Sequence, residues 1–204
     1  MGFYREKVFP WLVDHIATGA EIDVIRDRVV EQAAGHVLEI GSGTGANFLS
    51  YSNAVTSLTT VDPNPGMNKI ARRRIKYVEF PVDTREIRCE NLSIKGASFD
   101  YAVTTLALCS LGNVESALEE IYRVLKPGGR LLFLEHGLSS DSTVGRWQER
   151  ITPLQRCVFD GCHLNRKIDL LIRGAGFFID KIDNYYLEKL PNSFGCMYEG
   201  VATK

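Results

Sequence analysis

Apolar positions along the chain first follow a helical period and then break into short runs. Val8, Leu12 and Ile16, then Ile22, Ile25 and Val29, recur at helical spacing and predict helix over the first 35 residues, interrupted at Gly19. From there, extended and helical patterns alternate. His36–Ile40 is a short apolar strand ending in glycines, and Gly45–Tyr51 starts a helix. Leu58–Val61 is a second strand. Pro65 opens a helix running towards Glu79, with Pro81 marking its end. Thr84–Cys89 is a weak third strand and Phe99–Thr104 a fourth. Val114–Leu125 is an amphipathic helix, Pro127-Gly128-Gly129 a turn, and Arg130–Glu135 a fifth strand. Helices fall within Thr143–Cys157 and Asn165–Ala175. Phe177–Leu187 and Cys196–Thr203 form a closing strand pair around Pro191-Asn192-Ser193.

Strands alternating with helices imply parallel crossover units, so the predicted fold class is α/β. A mostly parallel seven-stranded sheet carries helices on both faces and an antiparallel C-terminal edge strand. Neither a repeat nor a low-complexity linker divides the chain, and one domain over residues 1–204 is expected. It is organised as an N-terminal helical segment (1–34), a core (35–136) and a closing segment of helices and strands (137–204). Ligands on such sheets sit beyond the carboxyl ends of the strands, which puts Gly41, Asp62, Leu106 and Glu135 on the active face.

The 45% hydrophobic content supplies one substantial core, and a net charge of −1 argues against a broad nucleic-acid surface. The basic run Arg72-Arg73-Arg74 reads first as a solvated helix face and second as an anion or lipid-headgroup contact. No segment has the ~20 apolar residues of a membrane span, and the first residues lack a signal-peptide core. A cytoplasmic protein is expected, with loose membrane contact left open. The five cysteines, Cys89, Cys109, Cys157, Cys162 and Cys196, fit no standard zinc spacing. Cys157, Cys162 and His163 lie close in sequence without an evident fourth ligand. Free thiols and no metal are expected.

The chemistry centres on Val37-Leu38-Glu39-Ile40-Gly41-Ser42-Gly43-Thr44-Gly45, a strand entering a tight glycine turn. Glycines there admit positive φ and let a ligand approach the backbone, and a following helix start offers free N–H groups to a carboxylate or a phosphate. Gly41, Gly43 and Ala46 also satisfy the dinucleotide pattern G-x-G-x-x-G/A. Asp62 lies 21 residues after Gly41, where an acid holds ribose hydroxyls in either kind of cofactor.

Glu39-Ile40-Gly41-Ser42-Gly43-Thr44-Gly45 resembles the first motif of class I S-adenosylmethionine (SAM)-dependent methyltransferases. Asp62-Pro63-Asn64-Pro65 resembles their second-strand acid and turn. Ser98-Phe99-Asp100 is similar to their fourth strand, and Leu118–Gly129 to their helix-turn before strand five. A narrower resemblance runs through Gly43–Phe48, Asp62–Pro65, Leu108-Cys109-Ser110, Glu135-His136 and Asp160–Arg166. It is to the methyltransferase-like 7 family, whose members are thiol S-methyltransferases. Phe9-Pro10 and Leu12 resemble the segment before that family's core. Its N-terminal membrane anchor has no counterpart here, so membrane attachment is not implied.

The resemblance implies SAM as methyl donor and S-adenosylhomocysteine as product. It places Glu39, Gly41, Ser42, Gly43, Gly45 and Asn47 around the methionine end and Asp62 on both ribose hydroxyls. Pro63, Asn64 and Met67 line the adenosine side, Cys89 and Glu90 flank adenine, and Leu106 and Cys109 approach the sulfonium. Arg88 stands where many members carry an Asp that accepts from the adenine amino group, a bond Arg88 cannot accept. Candidate bases towards the acceptor are His136, Asp160 and His163. Asp160 reads equally as a turn cap, with Gly161 making the bend. Tyr4, Phe9 and Trp11 form a lid or a helix packed on the core. Trp147 and Phe159 shape an acceptor pocket or fill the core.

Small-thiol S-methylation is the leading function. N-, O- or C-methylation of a phospholipid headgroup, quinone precursor or other metabolite is the alternative, followed by a nicotinamide-dependent oxidoreductase and a non-catalytic SAM-binding module. Thiols suit such a site because a small thiolate fraction is already strongly nucleophilic near neutral pH.

Overall fold

The apolar runs become the middle of a sheet because their alternate residues face two different cores. In the computed structural model, which describes residues 2–16 and 20–204, β1 (Gly35–Ile40) sends Leu38 and Ile40 to one face and Val37 to the other. It pairs in parallel with β2 (Val55–Val61) and with β4 (Phe99–Thr105). Beyond β2 lies β3 (Val82–Arg85), and beyond β4 lies β5 (Leu125–His136), both parallel. β7 (Cys196–Thr203) runs antiparallel to β5 on one side and to β6 (Phe178–Tyr186) on the other. The order of the seven strands is β3-β2-β1-β4-β5-β7-β6. The one reversed strand therefore sits a place in from the edge, where β6 closes the sheet.

One face is covered by α4 (Val114–Val124) and α6 (Ile168–Gly174), which bury Leu118, Ile121, Ile168 and Ile172 against Leu131 and Phe133. The other carries α2 (Ala20–Val30) and α3 (Pro65–Arg74), with Val29, Val30 and Ala71 packed among Val103, Leu132 and Leu134. Helix starts follow their sequence signals. Asn64 accepts from the Gly66 and Met67 N–H groups ahead of Pro65, and Asn113 accepts from Ser116 N–H. Asp141 caps α5 (Ser142–Val158) through Thr143 and Val144.

Three expectations change. No α-helix follows the glycine turn: residues 43–47 make turns and Phe48–Ser50 a single 3-10 turn. The Asn47 side chain is instead bonded to Glu39 and Thr105, which holds the segment in turns. The third strand starts two residues earlier than expected and ends at Arg85, because Leu58 takes the Pro81 carbonyl and pairs with Val82. Cys89 falls in the following loop. Pro65 opens α3, but that helix stops at Arg74 and continues only as a 3-10 turn over Ile75–Tyr77.

At the start, a π-helical turn (Tyr4–Val8) leads into α1 (Phe9–Ile16). The break expected at Gly19 lies outside the described residues. The short helix α7 (Asn192–Gly195) joins β6 to β7. Among the described residues no helix is long and apolar enough to cross a membrane. The basic run is partly occupied: Arg72 pairs with Glu86, while half-buried Arg74 bridges Asp14 of α1 and the Thr44 carbonyl of the glycine turn.

Candidate active site

Where β1 and β2 end, the chain makes a tight glycine turn. Gly41, Gly43 and Gly45 all have positive φ, between +53° and +77°. A Cβ on Gly41 would lie 2.5 Å from that of Ala107, so glycine is required both for the turn and for the neighbouring loop. Asp62, at the carboxyl end of β2, locks the two loops together: its Oδ2 accepts from Gly43 N–H at 2.9 Å and its Oδ1 from Asn64 N–H at 2.8 Å. Burial raises its pKa, and those two backbone bonds pull the other way.

The third loop follows β4. Leu106 is held at φ +54°, a left-handed conformation uncommon for a leucine. Buried Glu135 accepts from the Ala107 and Cys109 N–H groups at 3.1 and 3.3 Å, and Arg166 donates to the Leu108 and Leu111 carbonyls. Burial pushes Glu135 up to about 7, against those backbone bonds. The sequence did not mark Glu135 and Arg166 as the clamp on this loop.

These loops open into a cavity of about 590 Å3, within the usual ~300–1,000 Å3 of small-molecule sites. Of the predicted site residues, Gly41, Ser42, Gly43, Asn47, Asp62, Pro63, Asn64, Met67, Leu106, Cys109, His136 and Asp160 line it. A small adjoining recess is lined by Arg88, Cys89 and Glu90, with Gly41 and Pro63 shared between the two. The Cys89 thiol turns to the Ala117 carbonyl of α4, and burial raises its pKa. Glu39 and Gly45 lie behind the wall. Glu39 is fully buried, accepts from Asn47 Nδ2 and the Tyr51 hydroxyl at 2.9 Å each, and is pushed up to about 8 by that burial.

His163, read from the sequence as a candidate base, does not line the cavity; its ring nitrogen sits 3.2 Å from the Cys109 carbonyl, which also accepts its backbone N–H. Asp160 and Gly161 adopt positive φ, and this bend sends Cys162, not His163, to the cavity. Desolvation lowers the His163 pKa, and Arg166 adds to the effect.

Cys162 then meets two predicted residues. Its Sγ is 3.6 Å from Cys109 Sγ and 3.8 Å from His136 Nδ1. Hydrogen bonding within this thiol pair raises the Cys109 pKa and lowers that of Cys162, with His136 assisting in the second.

The far wall is largely apolar, with Phe9, Leu12, Phe159, Leu190 and Phe194. Trp147 stands outside it, exposed beneath the Arg150 guanidinium. The N-terminal segment spans the cavity. Arg5 bonds Asp160 at 2.9 Å and lends its carbonyl to Asn64 Nδ2, and Tyr4 donates to the Val158 carbonyl. Phe9 faces inward, whereas Trp11 is exposed and packs on His15. Arg26 of α2, a cation that sequence reading passed over, also lines the cavity.

The donor set fits an amino-acid-bearing nucleoside. Among the described residues, Ser42 Oγ and Asn47 Oδ1 are buried on this wall without a hydrogen-bond partner. A carboxylate accepts from the first and an ammonium donates to the second. Each Asp62 oxygen keeps acceptor capacity beyond its one backbone bond, which suits hydroxyl donors.

A family profile described as "Methyltransferase domain" matches residues 38–133. The sheet order and the site match those of class I SAM-dependent methyltransferases, whose fold the chain shares. Within that class the chain resembles the thiol S-methyltransferases: it is 36% identical over 148 residues to human thiol S-methyltransferase TMT1A, covering 69% of this chain and 59% of the relative. It therefore spans less than two thirds of that relative's length. Demethylmenaquinone methyltransferase of Tropheryma whipplei is 35% identical over 103 residues, covering 50% and 42% of the two chains. The fold is shared with the N-methyltransferase NodS of Bradyrhizobium japonicum in complex with S-adenosylhomocysteine, at a TM-score of 0.71 and 19% identity over 96% and 92% of the chains.

Proposed function

We propose that this domain transfers a methyl group from SAM to the sulfur of a small thiol. The carrying observation is the continuity of the cavity: the polar wall at Gly41, Asn47 and Asp62 and the apolar wall at Phe9 and Phe159 enclose one space of about 590 Å3. That space has to hold donor and acceptor together, which favours a small acceptor. The likeness to thiol S-methyltransferases supports sulfur as its nucleophile.

SAM supplies an activated methyl on a sulfonium. In this reading Gly41, Ser42, Gly43 and Asn47 hold the methionine end, and Asp62 holds the ribose. Pro63, Asn64 and Met67 flank the adenosine, and the recess at Arg88, Cys89 and Glu90 takes the base. Leu106 and Cys109 border the sulfonium, while Glu39 and Gly45 shape the turn from behind. His136 and Asp160 face the acceptor. The protein's task is alignment, which by itself lowers the barrier substantially. The N-terminal segment (1–34) acts as a cover, residues 35–136 bind the donor, and residues 137–204 complete the acceptor wall.

The test is methyl transfer from labelled SAM to a panel of thiols, amines, phenols, quinols and phospholipids, read by mass spectrometry. A methyl thioether is expected. Transfer only to carbon, as the quinone methyltransferase relatives would favour, or only to nitrogen or oxygen, overturns the thiol assignment. SAM binding without transfer to any acceptor favours a binding module.

A further inference from the structure

Three soft-metal ligands that are far apart in sequence meet at the acceptor end of the cavity. Cys109 comes from the loop after β4, His136 from the end of β5 and Cys162 from the turn after α5. Their ligating atoms all lie within 4.8 Å of one another, both cysteines are buried, and all three residues line the cavity. The pairwise distances carry the argument. Tetrahedral zinc with Zn–S near ~2.3 Å and Zn–N near ~2.0–2.1 Å requires S···S of about 3.8 Å and S···N of about 3.6 Å. The observed separations are 3.6 Å for Cys109 and Cys162 and 3.8 Å for Cys162 and His136. These two pairs match to a few tenths of an ångström, and the third, Cys109 to His136, lies within 4.8 Å, so one ion is held once the His136 side chain moves in by up to about an ångström. Two thiolates and one imidazole neutralise a divalent cation and leave its fourth position towards the cavity, the open arrangement of a catalytic rather than a structural zinc site.

We propose that Cys109, His136 and Cys162 bind a thiophilic divalent cation, Zn2+ in the first instance, whose open position receives the acceptor's sulfur. This second part rests on the thiol reading above; the binding site itself does not. The entering thiol releases its proton to solvent on ligation. Its sulfur then forms the new bond to the methyl carbon as the sulfonium C–S bond breaks, and that electron pair leaves with S-adenosylhomocysteine. Metal ligation keeps the thiol deprotonated at neutral pH without a nearby base. This accounts for His136 facing the site with its Nδ1 turned to a cysteine rather than to open space.

The experiment uses the full chain, reduced, incubated with zinc chloride, desalted and assayed for bound metal by elemental mass spectrometry. Cobalt substitution reports thiolate ligation and tetrahedral geometry by absorbance. Stoichiometric zinc is expected in the wild type and in Cys157→Ser, which changes an exposed cysteine outside the cluster. Affinity should fall by more than about 100-fold in Cys109→Ser and Cys162→Ser, since loss of mere supporting partners already costs 10–100-fold. Thermal melts and SAM titration verify that each variant is folded. Absence of retained metal in the reduced wild type, or equal retention in both cysteine variants, overturns the site. A Cys109–Cys162 disulfide in place of bound metal overturns it too. Full thiol methylation by metal-free protein overturns the activating role while leaving the thiol reading intact. Stoichiometric metal with no thiol methylated supports the site and removes the thiol reading.

Discussion

Replacing Asp62 with asparagine isolates what one buried charge does for donor binding. The carboxylate accepts one backbone N–H on each oxygen, from Gly43 and from Asn64. Asparagine preserves the volume but turns one acceptor into a donor, so one of those N–H groups meets another donor. Any hydroxyl bond from the ribose on that side is lost as well. A hydrogen bond to a charged group contributes about 1.5–3 kcal/mol, which corresponds to a rise in SAM Kd of about 10- to 150-fold. Asp62→Ala, which removes both acceptors, should be weaker still. Fold stability should change less than affinity, because removing the carboxylate also removes the desolvation that raises its pKa. Calorimetric titration with SAM and with S-adenosylhomocysteine measures the affinity, and a ligand-free melt measures the fold. A folded Asp62→Asn protein that binds SAM within about twofold of wild type would refute the ribose assignment.

Two further outcomes follow from groups behind and beside the cavity. Glu39 has its folded pKa raised to about 8 by burial, above the ordinary 4.5. Its protonated form is thus favoured in the fold, and its contribution is fully present below about pH 4.5 and lost as pH rises through about 8. Urea unfolding across that range should show wild-type stability falling with pH and a shallower fall in Glu39→Gln, with Glu135 and Asp62 contributing to what remains; parallel slopes would sink this account. Gly66→Ala should leave α3 intact but push the N-terminal segment away, since the new Cβ would lie 2.0 Å from the Glu6 carbonyl oxygen. Faster proteolysis before residue 16 and faster SAM release are expected, and unchanged protection of that segment would count against a cover.

The alternation of strands and helices was legible because the core strands are apolar on both faces and α3, α4 and α5 carry their own caps. Asn64-Pro65 and Asp141 announce their helices in sequence and cap them in space. The stretch after the glycine turn misled because its composition permits a helix, while the fold commits Asn47 to Glu39 and Thr105. The cavity-lining residues at the ends of β1 and β2 were readable, since they follow one another in sequence. The convergence at the other end was not. His163 and Cys162 are adjacent, and only the positive φ at Asp160 and Gly161 decides which of them enters the cavity. The meeting of Cys109, His136 and Cys162 depends on two loops converging on the end of β5, for which local sequence carries no signal.

The strand order also governs how this chain can reach its native state. β1 needs β2 on one flank and β4 on the other, so Val37 is satisfied only when Leu58 and the distant Tyr101 have both arrived. β5 likewise waits for β7, with Leu134 opposite Glu199. Such non-local pairings demand costly loop closures before any contact repays them, which slows the search and exposes unpaired strand edges meanwhile. The glycine turn hangs from the end of β1, and its companion loop hangs from β4. Ligand competence therefore waits on the pairing of β1 with β2 and β4, since both loops hang from strands joined there.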